Sequence, residues 1–185
     1  MKAIVNTEIG KLEFQDLPLP EPARGQVRIR TSAAGICASD IEMIDGNPRV
    51  KRPHILGHEW AGVVDACGAG VDKSLIGRPC VAENVLKDGG EVGFEHPGGY
   101  GEFFITDAKL LRFLPADFSL VEAALIEPLA VVVRGMKRLK PSKGVALVVG
   151  DGIIGLLFLL LLKQRGAEHI VVLGGREPRL KLSME

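Results

Sequence analysis

The sequence predicts an α/β protein in which a mainly β first part, a barrel or sandwich, is followed by the start of a parallel sheet. Short β-type runs, separated by Gly, Pro and Asp, occupy the chain up to about Arg112. A strand–helix–strand pattern then fills residues 145–173. The chain has 185 residues, of which 46% are hydrophobic, so it can bury one complete core and part of another.

The first part contains seven predicted strands and one clear helix. The strands cover residues 2–6, 11–16, 26–32, 60–64, 78–83, 101–106 and 110–114. Many short strands of this kind are typical of a barrel or a sandwich. The helix begins after Ser119, whose hydroxyl can cap it while Glu122 reciprocates, and apolar residues continue it toward Met136.

The second part begins with a predicted turn at residues 141–144. A β-branched strand at 145–149, a helix at 153–165 and a strand at 170–173 follow, and Gly166 ends the helix. Because a parallel sheet of two strands cannot be covered on both faces, we expect the chain to end before its second domain is complete. The predicted domains are residues 1–142 and 143–185.

Charge and cysteine content exclude several classes of protein. Lys+Arg and Asp+Glu both number 23, so no basic field is available to attract nucleic acid or a membrane surface. The three cysteines are odd in number and show no CxxC spacing, which excludes a disulfide framework and favours a cytoplasmic protein. Residues 145–162 are mostly aliphatic, but Asp151 and several glycines argue against a membrane span.

Three polar positions in the sequence could together hold a metal ion. They are Cys37, the pair His58 and Glu59, and Glu127, which offer sulfur, nitrogen and oxygen. A catalytic zinc needs three protein ligands and an open fourth position, and this mixed set supplies them. Taken singly, a cysteine in an apolar stretch is typical of a core residue, and a histidine before a glutamate is typical of a hydrogen-bonded structural residue.

A glycine pattern follows the strand at 145–149 and opens the next helix. Gly150, Gly152 and Gly155 form a GxGxxG turn, in which the backbone can approach a pyrophosphate at the helix N-terminus. Asp151 lies within this turn, and its carboxylate should weaken nucleotide binding unless it turns away. The alternative is a glycine turn that joins strand to helix and binds no ligand.

The residues after the second strand bear on the choice of nucleotide. An NAD-binding fold would place an acidic residue there for the ribose 2′-hydroxyl, whereas this chain has Gly175 and Arg176. An arginine can accommodate a 2′-phosphate, so NADP is favoured over NAD. Glu177 keeps the alternative open, since a shift of one residue would place it near the ribose.

Five motifs occur in the order found in medium-chain zinc dehydrogenases: GICASD, GHEWAGVV, GGYGEFF, EPLA and the GxGxxG turn. The chain resembles that family over essentially its whole length. The resemblance implies a GroES-like barrel domain that binds zinc, followed by an incomplete Rossmann domain. The EPLA motif is similar to that of the sorbitol and threonine dehydrogenase branch.

The resemblance also implies roles for individual residues. Cys37, His58 and Glu127 would bind the catalytic zinc, with Glu59 as an adjacent or alternate ligand. Ser39 would receive the proton of the alcohol, and Asp40 would orient the histidine.

The alternative interpretation of Ser39 and Asp40 is an ordinary pair at a helix N-terminus. Many relatives hold a structural zinc with four cysteines, but residues 81–99 contain none, so we expect one zinc per chain. Cys67 and Cys80 are then structural, in a turn and a strand respectively, and His96 is a loop residue.

These expectations together describe an oxidoreductase that transfers hydride between a secondary alcohol or polyol and NAD(P). We expect a small-molecule substrate, a homo-oligomer in the full-length form, and no activity from the 185 residues alone. One alternative is a zinc-independent relative of the quinone reductases. The other is a non-catalytic fragment that binds only zinc.

Overall fold

The computed structural model describes residues 1–139 and 144–184. The chain divides into two compact units, Met1–Ile126 and Glu127–Glu185. The domain boundary predicted between residues 142 and 143 lies outside the described residues, as does the predicted turn at 141–144 apart from Gly144.

The first unit contains two antiparallel sheets. Strands β1 (Lys2–Glu8) and β2 (Lys11–Asp16) form a hairpin. The larger sheet has the order β6-β3-β4-β5-β7. Its strands in chain order are β3 (Gln26–Ala34), β4 (Trp60–Cys67), β5 (Pro79–Ala82), β6 (Phe103–Asp107) and β7 (Leu111–Phe113). Within the described residues β6 and β7 are the two edges of this sheet, so the predicted barrel is an open sheet rather than a closed ring.

Alternating side chains explain how the larger sheet forms its core. On β3, Val27 and Ile29 are fully buried, and Ile29 lies opposite the buried Phe104 of β6. Trp60 packs edge-on against Phe104, with ring centroids 4.7 Å apart. Burial of each of these side chains contributes about 1.5–3 kcal/mol, so this cluster fixes the register of the central strands.

Two structural elements of the first unit differ from the sequence prediction. Helix α1 (Ala38–Ile44) follows β3, with Cys37 as its N-cap, whereas the sequence offered a helix N-terminus here only as an alternative interpretation. Cys67 is the last residue of β4 rather than a turn residue, because the strand extends three residues beyond the predicted end at residue 64. Cys80 lies in β5 as predicted, and burial raises the pKa of its thiol to about 12.

The helix predicted after Ser119 is divided into two. Helix α2 (Leu120–Ala123) is capped by the Ser119 hydroxyl, which accepts a hydrogen bond from the Glu122 N–H at 3.3 Å. Helix α3 (Ile126–Met136) then begins two residues before Pro128. Proline lacks an N–H, and its ring clashes with the carbonyl four residues earlier, so a continuous helix through this position is disfavoured.

The second unit contains the predicted strand–helix–strand arrangement. Strand β8 (Val145–Val149), helix α4 (Ile153–Gln164) and strand β9 (His169–Leu173) are followed by the short helix α5 (Glu177–Leu182), which the sequence analysis did not predict. The two strands pair in parallel, so the odd-numbered residues of both point to one face of the sheet. The five apolar side chains on that face are 50–74% exposed: Val145, Leu147, Val149, Val171 and Leu173.

In the part of the chain that the structure describes, no helix is both long enough and apolar enough to span a lipid bilayer. Helix α4 has 12 residues. A span needs roughly 20 residues.

Candidate metal centre and glycine turn

Cys37, His58 and Glu59 come together in the first unit. Each offers one potential ligand atom, and these three atoms lie within 4.8 Å of one another. His58 and Glu59 are buried, whereas Cys37 is half-buried. A thiol, an imidazole and a carboxylate at this spacing form a donor set that suits zinc.

Two segments place these side chains next to each other. Cys37 follows the end of β3, and the His58–Glu59 pair precedes the start of β4, the neighbouring strand. The N–H of Gly35 donates to the carbonyl oxygen of Glu59 at 2.7 Å and so joins the two segments. A Cβ atom at Gly35 would collide with the Glu59 carboxylate, so glycine at this position lets the carboxylate lie where it does.

Asp40, on helix α1, links the two ligand-bearing segments. Its carboxylate is fully buried, and its Oδ1 lies 3.1 Å from Nδ1 of His58. Its Oδ2 accepts a hydrogen bond from the backbone N–H of Cys37 at 2.9 Å. A contact on Nδ1 leaves Nε2 as the nitrogen that can bind a metal, which is how a carboxylate commonly orients a ligating histidine.

Tyr100 is a further member of this network, and the sequence analysis did not single it out. Its hydroxyl donates to Oδ2 of Asp40 at 2.8 Å and lies 3.2 Å from the carbonyl oxygen of Gly35. Burial and the bond to Asp40 raise the pKa of this phenol. Tyr100 belongs to the GGYGEFF motif, but the 60 residues that separate it from Asp40 hid the contact.

The hydrogen bonds decide the charge state of Asp40. Burial acts to raise the pKa of this carboxyl, but the contacts with His58, Tyr100 and the Cys37 N–H outweigh burial, and the pKa lies below its usual value. Asp40 therefore remains ionised at neutral pH. An ionised acceptor holds the imidazole more strongly than a neutral carboxyl would.

Ser39 lies on the first turn of α1 and is half-buried. No residue in ranges 1–139 and 144–184 forms a hydrogen bond with its hydroxyl. The structure therefore places Ser39 two residues from Cys37 but shows no proton path that includes it.

Glu127 is the first residue of the second unit and lies in the first turn of α3. The three-residue cluster within the first unit is formed without it. The assignment of Glu127 as a zinc ligand therefore stays a prediction from the family resemblance.

The glycine turn in the second unit has the predicted context. Gly150 has a positive φ of 115°, and a Cβ atom at Gly155 would collide with the Gly150 carbonyl, so both positions require glycine. Gly152 is the N-cap of α4. A Cβ atom there would meet only one guanidinium nitrogen of Arg179, at 4.0 Å, so packing within the described residues does not demand glycine at this position.

Asp151 turns away from the glycine turn. Its Oδ2 accepts hydrogen bonds from the backbone N–H groups of Arg176 at 2.7 Å and Gly175 at 3.1 Å. These bonds, chiefly the one from Arg176, lower the pKa of the Asp151 carboxyl. A Cβ atom at Gly174 would collide with Asp151, so that glycine is what allows the carboxylate to reach the loop after β9.

Comparison with known proteins places this arrangement in a family. The model of the alcohol dehydrogenase GroES-like domain matches residues 23–116, about half of the chain. Sorbitol dehydrogenase of Halalkalibacterium halodurans is 31% identical over 206 residues, covering 100% of this chain and 60% of that protein. Human sorbitol dehydrogenase is 33% identical over 200 residues, covering 95% of this chain and 56% of that protein.

Solved structures show the same likeness. The rspB alcohol dehydrogenase of Escherichia coli CFT073, solved with NADH, aligns with a TM-score of 0.90 and 27% sequence identity. The alignment covers 100% of this chain and 59% of the rspB chain. Galactitol-1-phosphate dehydrogenase of Escherichia coli aligns with a TM-score of 0.88 and 27% sequence identity, over 100% of this chain and 58% of the dehydrogenase chain. The chain thus spans 56–60% of the length of these relatives. It belongs to the medium-chain alcohol and polyol dehydrogenase family, whose GroES-like domain its first unit contains.

Proposed function

We propose that the protein is a zinc-dependent oxidoreductase that transfers hydride between a secondary alcohol or polyol and a nicotinamide nucleotide. The observation that carries this proposal is the buried contact between Asp40 and His58, beside Cys37 and Glu59. The sorbitol and galactitol-1-phosphate dehydrogenases among the relatives support a small polyol or related alcohol as the substrate.

The zinc ligands we propose are Cys37, His58 and Glu127, with Glu59 as an alternate. When bound, zinc would act as a Lewis acid toward the substrate's hydroxyl oxygen and promote loss of its proton. Asp40 holds the His58 imidazole, so that Nε2 can ligate. Ser39 would receive the proton of the alcohol.

The glycine turn would bind the pyrophosphate of the nucleotide. The N-terminus of α4 offers backbone N–H groups, and the space above Gly152 allows a ligand to approach the backbone. We propose NADP over NAD because the sequence lacks the expected acid after β9 and has Arg176 beside that position. The direction of the Asp151 carboxylate, toward the backbone of Gly175 and Arg176, removes it from the pyrophosphate position.

We also propose that the full-length form is a homo-oligomer and that the protein is cytoplasmic, the latter as expected from cysteine usage.

Metal content tests the metal centre directly. The chain purified from zinc-containing buffer should hold one zinc, and cobalt exchanged for zinc should give a thiolate-to-metal absorption band. Cys37→Ser should lose that band and most of the metal, because a hydroxyl is a poor replacement for a thiolate. Cys67→Ser is the matched control, since Cys67 is also half-buried and lies at the end of a strand. An unchanged band in Cys37→Ser would remove the metal centre from the proposal.

The same measurement separates the two carboxylates. If Glu127 is a ligand and Glu59 an alternate, Glu127→Gln should lose more zinc than Glu59→Gln. The reverse order would assign the site to Cys37, His58 and Glu59.

Activity is tested in the protein that contains these residues together with the rest of the polypeptide that relatives possess. Oxidation of a panel of polyols and secondary alcohols is measured with NAD and with NADP. Zinc-loaded protein that shows no turnover with either nucleotide would refute the oxidoreductase proposal. A lower KM for NAD would refute the NADP preference alone.

A further inference from the structure

Residues 84–99, here called the 84–99 lobe, lie directly against the segment that carries His58. The N–H groups of Gly98 and Gly99 donate to the carbonyls of Ile55 and Gly57 at 2.9 and 2.7 Å. At the other end of the lobe, Nδ2 of Asn84 donates to the carbonyl of His58 at 2.8 Å. The backbone on both sides of the imidazole is therefore held by this lobe.

A side chain of the lobe also packs against the imidazole itself. The ring centroids of Phe94 and His58 are 4.7 Å apart, with an angle of 35° between the ring planes. Phe94 is buried, and its other neighbours include Met43, Val50 and Leu56. The phenyl ring is thus held in an apolar cluster.

Arg49 packs over the ring of Phe94. Its guanidinium carbon lies 4.1 Å from the centre of the phenyl ring, a cation–π distance. The guanidinium also forms hydrogen bonds of 2.7 and 3.1 Å with the two carboxylate oxygens of Glu95 and an ion pair of 3.2 Å with Glu91. Arg49 therefore joins two carboxylates of the lobe to the ring that touches His58.

The contact between Nδ1 of His58 and Oδ1 of Asp40 selects which imidazole nitrogen faces the carboxylate, but the tilt of the ring plane depends also on what packs against the ring face. The tilted contact with Phe94 limits this tilt, because turning the imidazole toward Phe94 would drive it into the phenyl ring. Since a zinc ligand must point its lone pair at the metal, the tilt of the ring matters as much as the choice of nitrogen.

We propose that Phe94 is a positioning residue for the metal ligand His58, and that Arg49 holds Phe94 in place through Glu91 and Glu95. The proposal rests on the metal centre described above. In this chain the lobe, which has no cysteine, serves the metal centre through two contacts of Phe94, one with Arg49 and one with His58.

The test uses the full 185-residue chain, with Co²⁺ alone as the probe. Phe94→Leu keeps an apolar side chain but removes the flat ring. The matched control is Phe113→Leu, because Phe113 is also covered by an arginine, Arg78, at 3.7 Å, but has no metal ligand beside it. Arg49→Gln is the second variant, which leaves the phenyl ring in place and so does not depend on how well Phe94→Leu folds.

We expect Phe94→Leu to weaken Co²⁺ binding about tenfold, the lower end for residues that orient metal ligands. Its cobalt d–d absorption bands should shift, because they report the geometry of the ligands. Arg49→Gln should change both readouts in the same direction and by less, whereas Phe113→Leu should keep the wild-type values.

Three results would overturn the inference. Phe94→Leu with wild-type affinity and bands would show that Phe94 only fills the core. Equal changes in Phe113→Leu would show a general loss of packing. A wild-type chain that binds no Co²⁺ would reject the proposed metal centre, and the inference with it, so this failure is distinguishable from the other two.

Discussion

Replacement of Tyr100 by Phe removes one hydroxyl and leaves the ring in place. The hydroxyl donates to Oδ2 of Asp40 at 2.8 Å, and Asp40 is fully buried and ionised. After the change, Asp40 keeps its contacts with the Cys37 N–H and the His58 imidazole but loses the hydrogen bond from the phenol. We therefore expect a less stable first unit.

The size of the effect follows from the charge on the acceptor. A hydrogen bond to an ionised group contributes about 1.5–3 kcal/mol, against about 1 kcal/mol for a bond between neutral groups. A loss of about 2 kcal/mol lowers the urea midpoint by about 1 M when the denaturant slope is about 2 kcal/mol per M.

Urea unfolding of the metal-free chain measures this loss. Trp60 is the only tryptophan in the sequence and is buried in the larger sheet, so its fluorescence follows unfolding of the first unit. Thr31→Val is the matched control, because the Thr31 hydroxyl donates to the neutral carbonyl of Gly101, also at 2.8 Å. Tyr100→Phe should lower the midpoint about twice as much as Thr31→Val. Equal midpoints for the two variants would refute the claim that the Asp40 carboxylate is charged and held by Tyr100.

Three further predictions concern other parts of the chain. Asp151→Ala should increase hydrogen exchange several-fold at the Arg176 amide, which loses its carboxylate acceptor; unchanged exchange would contradict the assigned bond. Burial lowers the pKa of His54, so the unfolded chain binds a proton at a pH where folded His54 does not, and stability should fall as the pH drops below about 6.5. Urea midpoints from pH 8 to 5 should therefore decline more steeply for wild type than for His54→Gln. Parallel profiles would show that His54 does not cause the loss of stability. Leu147→Lys should reduce self-association of the chain in light scattering, because Leu147, which is 63% exposed, lies on the exposed apolar sheet face, whereas Val121→Lys, at a position 74% exposed in the first unit, should not.

Most of the strands could be predicted from the sequence because the features that favour them lie within a few consecutive residues. The β-branched run of β8 and the glycine turn after it need no distant partner to be recognised, and both lie where the sequence placed them. Pro128 could also have indicated the break between α2 and α3, but the apolar residues on either side of it favoured a prediction of one continuous helix.

The contacts that build the site were harder to predict because they join distant residues. Cys37 and His58 could be proposed as ligands from residue type and order, and the structure brings them together with Glu59. The contacts of Asp40 with Tyr100 and of His58 with Phe94 depend on how the loops pack across the larger sheet. The direction of Asp151 likewise depends on the absence of a side chain at Gly174.

The way the 84–99 lobe is attached determines where this protein can be lengthened. Both ends of the lobe are tied to the His58 segment, whereas Asp88 and Gly89 are exposed, and a Cβ atom at Gly89 would meet nothing within 4 Å. Extra residues inserted after Gly89 would project into solvent without disturbing Asn84 or Phe94. A loop that carries a tag, a second metal site or a binding peptide could therefore be grafted at this position while the metal centre keeps its geometry.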